Sequence, residues 1–351
     1  MSIWQKESLK QKIYSQLLRQ IIKGEIAPSM PLPSNAELTE KFNAGRETIK
    51  QVIARLAEEK YIIRRDRKTP LTAKKLPEKH YTVGIPYIEF PGHMLDDFNY
   101  EKAPWGWTLY RAVAEALLKR GHNAVLLNFD RGMDFCGNVH GIISFSSAVT
   151  RICAESTKLP IISVMVGGYD TPGTINLDRT QSMMKCATYF LAHGVRSILL
   201  MSFEKNYRNS NLSFVNKYLV DTLQDNGLAA ENIVNFDYTR DTSAETGTDM
   251  MKKFMDMALP KPWGILCPGD FQAQAAVHTG IKAGLIPKKD FLVVGGTGLK
   301  EAANWTPALT TAGTAYEEIG EAAAQAMIEY IMTGEKPDAI HVKNKLIIRE
   351  T

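Results

Sequence analysis

At 351 residues with 44% hydrophobic side chains, the chain can hold two or three domains with real cores, which excludes a disordered or low-complexity protein. Its net charge of +4 hides an asymmetry: residues 1–80 hold 17 Lys and Arg against 9 Asp and Glu, and the remainder 25 against 29. A basic head on a mildly acidic body points to a polyanion partner for the head alone.

The four cysteines (Cys136, Cys153, Cys186, Cys267) and seven histidines lack metal-ligand spacing, and a disulfide framework is not expected in so large a domain. Neither a metal nor a cofactor is implied. The amino terminus has no secretory apolar core, and no run approaches the roughly 20 apolar residues that span a bilayer. A soluble, cytoplasmic, bacterial protein with no membrane partner is expected.

In chain order, the first helix spans Leu9 to Ile22, with Leu9, Ile13, Leu17, Ile21 and Ile22 on one stripe and Gly24 closing it. Pro28, Pro31 and Pro33 hold the next stretch extended. Ser34 and Glu37 make a capping box for a second helix to about Phe42. After the turn Asn43-Ala44-Gly45, a third helix buries Ile49, Ile53 and Leu56 and exposes Arg46, Thr48, Lys50 and Gln51 near its start. Tyr61 to Arg64 reads as a strand, with a hairpin tip at Asp66-Arg67-Lys68 before Leu71-Thr72. Helix, helix, recognition helix and two-stranded wing place a helix N-terminus in a DNA major groove. Arg46 can bind guanine bidentately, Lys50 and the wing cations Arg65, Arg67 and Lys68 suit phosphate, and Ser34, Thr48 and Gln51 complete the candidate DNA-binding set.

Residues 9–73 resemble the winged helix-turn-helix of GntR-family bacterial regulators through Tyr14, Ile22, Gly24, Leu32-Pro33-Ser34, Leu38, Phe42, Arg46, Thr48, Leu56 and Ile62-Ile63. The resemblance implies phosphate and base contacts from Arg46, Thr48 and Lys50, with the wing in the minor groove. Three departures stand out: Asn35-Ala36 replaces the usual Glu-Arg, Gly45 the usual Ser, and the wing tip lacks its glycines.

Lys74 to Lys79 reads as a charged linker, separating a DNA-binding domain at 1–73 from an effector-binding and dimerisation domain at 80–351. Strands and helices then alternate. Strands fall at Tyr81–Ile85, Ala124–Leu127, Gly141–Ser144 and Pro160–Val164, with a helix at Trp107–Lys119. A second series has helices at Ser182–Ala192, Phe214–Asp225, Gln272–Ala283 and Ile319–Ile331, and strands at Ser197–Met201, Gly264–Cys267 and Phe291–Val294. This predicts an α/β fold: two lobes of parallel sheet with helices on both faces, and a cleft where strand ends meet. Strand ends alone nominate Tyr87, Asp130, Phe145 and Ser146 as cleft residues, with helix capping the competing role for Asp130 and Ser146. Trp105 and Trp107 are expected to pack the first helix against the sheet, with the cleft mouth as the competing place, and Asp270 is expected as the cap of a helix beginning at Phe271.

The body resembles the effector domain of LacI/GalR regulators and periplasmic sugar-binding proteins. The motifs are Leu177-Asp178, His193-Gly194, Ser243-Ala244 with Gly247, Cys267-Pro268-Gly269-Asp270, Gly284-Leu285-Ile286-Pro287, Val294-Gly295 and Pro307-Ala308-Leu309-Thr310-Thr311 before Gly320. A GntR-type head on such a body resembles the arabinose-repressor arrangement. The resemblance implies a carbohydrate-responsive repressor, homodimeric on double-stranded operator DNA and released by a sugar. It puts Tyr316 against the sugar face. The family's cleft Arg falls at Asn211, or at Ser210 if a gap is placed differently, its Trp at Thr242, its Asn at Gly269 and its Asp at Thr297. Tyr207, Arg208 and Tyr238 stand close by as substitutes, and Asp270 completes the candidate effector set. The missing Asp leaves a sugar acid, sugar phosphate or nucleoside as the alternative effector. An enzyme is not expected: the glycine pairs lack a P-loop Lys-Ser/Thr, Ser144 to Ser147 has no activating His by any motif, and no catalytic residue is assigned.

Overall fold

A computed structural model describes residues 9–65, 68–87, 104–128, 138–165, 171–203, 211–238 and 243–351. The head comprises α1 (Leu9–Ile22), α2 (Asn35–Phe42), α3 (Arg46–Glu58) and an antiparallel wing of β1 (Ile62–Arg65) and β2 (Lys68–Thr72). Ile13, Leu17 and Ile21 of the expected stripe are buried, joined by Tyr14 and Leu18, and pack on Leu38, Ile49, Val52, Ile53, Leu56, Tyr61 and Ile62. Leu9 departs from expectation at 49% exposed, because it begins the helix beyond the reach of this small core. The proline-rich segment becomes an edge to the wing: Leu32 N–H donates to Pro70 O and Thr72 N–H to Met30 O, each at 2.9 Å.

Two all-parallel sheets follow. The first has six strands in the order β13-β7-β6-β5-β3-β4: β3 (Thr82–Tyr87), β4 (Asn123–Asn128), β5 (Gly141–Ser144), β6 (Ile161–Val164), β7 (Thr174–Asp178) and β13 (Ile340–Lys343). The second is ordered β11-β10-β8-β9: β8 (Ser197–Phe203), β9 (Ile233–Tyr238), β10 (Trp263–Leu266) and β11 (Phe291–Val294). Helices cover both faces, as sheets buried on two sides require. On the first sheet α4 (Pro104–Lys119) and α10 (Tyr316–Thr333) enclose the main core, and α5 (Ser147–Ser156) covers the other face. On the second, α6 (Thr180–Ala192) and α7 (Asn211–Asp225) lie over one face, α8 (Ala244–Asp256) and α9 (Asp270–Lys282) over the other.

Two expectations are corrected. Helix α10 was expected in the second series but packs against α4 of the first lobe, where Ile319, Ala323 and Met327 join Leu109, Val113 and Leu117 in one core. Chain order is a poor guide here, because the chain crosses between lobes again at 314–316. Trp107 is 38% exposed and meets Tyr110 edge-on at 5.8 Å, so it is not a core residue. The side chain of Trp105 lies outside the described residues.

Among the described residues the lobes are joined by three crossings, at Asp178–Thr180, Thr314–Tyr316 and Lys343–Lys345. Buried Asn344 stitches two of them: its N–H donates to Asp178 O at 2.9 Å and its side-chain amide to Ala312 O at 3.1 Å. The last crossing leads into β14 (Lys345–Ile347), paired antiparallel with β12 (Thr311–Gly313). No helix among the described residues is long and apolar enough to cross a membrane.

Candidate functional site

The recognition helix is set by local chemistry. Ser34 Oγ accepts from Glu37 N–H at 3.2 Å, and the Glu37 carboxylate accepts from Ser34 N–H at 2.6 Å, the capping box read from the sequence. Asn43 takes a left-handed conformation (φ 45°) that turns the chain from α2 into α3. Gly45 is the N-cap of α3 and supplies no side-chain hydrogen bond to the first N–H groups of the helix. Such an end suits a phosphate. Arg46, Lys50 and Gln51 are exposed on this helix and Thr48 is half-buried.

In the wing, Arg65 and Lys68 are exposed; the Arg65 guanidinium donates twice to Thr69 O, at 3.0 and 2.6 Å, holding the arm against its own hairpin. Arg67 lies outside the described residues. Two further cations were missed in the sequence. Arg64 is exposed because a bulge between Ile63 and Arg65 breaks the strand's alternation. Lys10 of α1 donates to Gln51 Oε1 at 2.9 Å, a contact across two helices that spacing cannot reveal.

Behind α3 sits a charged anchor. Glu59 accepts from Tyr14 Oη at 2.8 Å, Arg55 Nε at 2.9 Å and Lys79 Nζ at 3.2 Å, and Arg55 stacks on the Tyr14 ring at 3.6 Å. Burial alone would raise the Glu59 carboxyl; the three donors outweigh it and hold it below its ordinary value. Burial pushes Tyr61 up to about 12, helped by the Glu59 charge.

In the body, the structure gathers Gly269, Asp270, Thr297 and Tyr316 beside the lobe crossing. Gly269 is the N-cap of α9, and Asp270 opens that helix. The expectation that Asp270 caps its own helix is corrected. Its carboxylate, buried, accepts from Thr297 N–H at 3.0 Å, Leu299 N–H at 2.7 Å and Thr311 Oγ1 at 2.8 Å, tying α9 to the segments flanking the crossing. Burial pushes this carboxyl up, and these hydrogen bonds act against the rise. Gly295 is needed for the approach: a Cβ there would stand 2.2 Å from Asp270 Oδ1. Thr297 Oγ1 accepts in return from Asp270 N–H at 3.1 Å. Tyr316 is buried in the first turn of α10; burial, then the Asp270 charge, push its hydroxyl up.

Phe145 and Ser146 follow β5 and are half-buried; Ser146 Oγ accepts from Val149 N–H at 3.5 Å and so caps α5. Ser144 Oγ donates to Ser146 O at 3.0 Å. Tyr87, Asn211 and Tyr238 sit at the ends of β3, α7 and β9, but their side chains lie outside the described residues, as do Asp130, Tyr207, Arg208 and Thr242 entirely. Cys153, Cys186 and Cys267 are buried. Among the described residues no cluster of three His, Cys, Asp or Glu side chains could hold a metal ion.

Residues 9–69 match the family of bacterial regulatory proteins of the gntR type, and residues 187–351 match the periplasmic binding protein-like domain. The HTH-type transcriptional repressor PurR of Yersinia pestis bv. Antiqua is 30% identical over 112 residues, 32% of this chain and 33% of that protein. The chain thus spans about a third of the length of the curated relatives it matches. A LacI family transcriptional regulator from Enterococcus faecium with bound ribose superposes with a TM-score of 0.62 at 18% identity, over 77% of this chain and 97% of the other. The transcriptional regulator CelR in complex with cellobiose superposes with a TM-score of 0.61 at 16% identity, over 97% and 98% of the two chains. At such identities these structures report on the fold. The chain joins a GntR-type helix-turn-helix domain to a periplasmic-binding-protein-like domain whose fold is that of LacI-family regulators.

Proposed function

We propose that this protein is a ligand-responsive, DNA-binding transcriptional regulator, a cytoplasmic repressor of carbohydrate-utilisation genes released from its operator by a sugar. The observation that carries this reading is a winged head with Arg46, Lys50 and Gln51 exposed at an uncapped recognition-helix start, joined in one chain to a two-lobed body. Residues 1–73 read double-stranded operator DNA, 74–79 link, and 80–351 bind effector and dimerise. Two heads of a symmetric homodimer would meet the two halves of a palindromic site. Arg46 reads a base edge, Ser34, Thr48, Lys50, Arg65, Arg67 and Lys68 engage the backbone, and Gln51 faces the groove beside Lys10.

In the body, Gly269, Thr297 and Tyr316 line the effector side of the crossing, with Asp270 holding Thr297 in place. The proposed effector set also takes in Tyr87, Asp130, Phe145, Ser146, Tyr207, Arg208, Asn211 and Tyr238. Ribose and cellobiose in the structural neighbours support the sugar class. The lack of a carboxylate at Thr297 favours, as a second reading, an anionic or less hydroxylated effector.

A thermal-shift series on the full chain against ribose, cellobiose, sugar acids, sugar phosphates and nucleosides tests the effector. A ligand at 100 times its dissociation constant adds about 2.7 kcal/mol of stability. Duplex selected from a random pool by the full chain tests the head. Arg46→Ala should weaken binding to that duplex by about 1–3 kcal/mol without changing the melting temperature. Unchanged affinity would remove α3 from the groove.

A further inference from the structure

The head is seated on the body, at the end of one helix. Helix α10 ends at Thr333, with Gly334 left-handed (φ 75°) behind it. The last carbonyls of a helix have no partner within it, and here the head supplies one. Gln11 Nε2 donates to Thr333 O at 2.8 Å, and the buried Ser15 Oγ donates to the same oxygen. Arg19 pairs with Glu335 at 2.9 Å and Lys23 with Glu329 at 3.6 Å, so α1 brings two cations to the negative end of α10. Met332 packs against the head's own core. Gln11 also reaches the recognition helix: its Oε1 accepts from Arg55 Nη1 of α3 at 2.9 Å. One side chain thus joins α3 to α10.

The other end of α10 lies at the lobe crossing. The first-turn carboxylates Glu317 and Glu318 pair across it with Lys300 and Lys345 of the second lobe, at 2.5 and 2.7 Å. Between its ends α10 is packed along α4. At Gly320 it comes so close that a Cβ would stand 2.5 Å from Ala112 O. An 18-residue helix is about 27 Å long and does not shorten under load, so motion at one end appears at the other.

We infer that α10 is a strut carrying the head: movement of the second lobe, gripped through Lys300 and Lys345, is delivered to Thr333 and through Gln11 to the recognition helix. What head and body bind rests on the function proposed above; the seating of the head does not. Two copies with heads seated this way hold their recognition helices at a fixed spacing, and lobe motion changes it.

Hydrogen–deuterium exchange on the full chain, without DNA or sugar, tests this apart from the regulator reading. Gln11→Ala with Ser15→Ala should uncover the last turn of α10 and speed exchange over 330–336 at least tenfold, while 49–56 in the head core and 141–144 in the sheet keep their protection. Arg19→Glu should act in the same direction, and adding Glu335→Arg should reverse it. The strut is tested from its far end. Gly320→Ala wedges α10 off α4 about 20 Å from Thr333, and Lys300→Glu with Lys345→Glu loosens the grip without touching the core. Either should speed exchange over 330–336. Unchanged exchange in the Gln11/Ser15 variant removes the seat. Acceleration confined to 316–324 in both far-end variants removes the strut. Failure of the unsubstituted full chain to select any duplex, with these exchange results obtained, would instead count against the regulator reading alone.

Discussion

The recognition helix and the lobe crossing put their polar side chains to opposite uses. On α3 the apolar side chains turn inward, while Arg46, Lys50 and Gln51 stay in water with hydrogen-bonding capacity to spare for a partner. At the crossing Asp270 and Thr311 are buried and spend that capacity on the chain itself. An exposed cation costs little to keep and little to lose; losing a buried carboxylate that holds three donors strands all three in the interior. The head is therefore a surface for contact, and the crossing a joint whose polar atoms set its geometry.

The sharpest way to break this comparison is Asp270→Ala. It strands Thr297 N–H, Leu299 N–H and the Thr311 hydroxyl in the interior. The body should lose about 4 kcal/mol, from about 1–3 kcal/mol for each orphaned donor. Calorimetry of the full chain would show this, and a loss under 1 kcal/mol would mean the joint does not depend on its buried carboxylate. Glu59→Gln tests the head's own charged anchor and should cost about 1–2 kcal/mol at neutral pH. Because Glu59 is held below its ordinary value, its contribution is complete above the unfolded carboxyl's range, near pH 4, and is lost as pH falls through the lower folded value. The variant should flatten that acid limb of the melting curve, and an unaltered limb would assign it to other carboxylates. The smallest effect belongs to Ser34→Ala, about 1 kcal/mol from one N-cap, read from the head's unfolding midpoint.

Legibility followed the same division. The capping box of Ser34 and Glu37 and the buried stripe of α3 are local, so the sequence displays them directly. The strands Gly141–Ser144 and Phe291–Val294 were visible as short apolar runs and lie where they were read. Helices α5 and α8 and the strand β9 were missed, their apolar positions being interrupted by Ser, Thr and Asp. Asp270 was recognised as structural, but its partners stand 27 to 41 residues away and no spacing rule reaches them. The same holds for Lys10 on Gln51 and Gln11 on Arg55.

By itself the sequence determined the alternation of elements, the basic head and the pattern of the recognition helix, since each depends on periodicity and caps within about four residues. Tertiary structure alone decided that α10 belongs to the first lobe, that Asp270 looks inward, and that the head sits on Thr333. Those outcomes turn on which surfaces meet once the chain has crossed between lobes three times, and a pairing across some 300 residues leaves no period in the sequence.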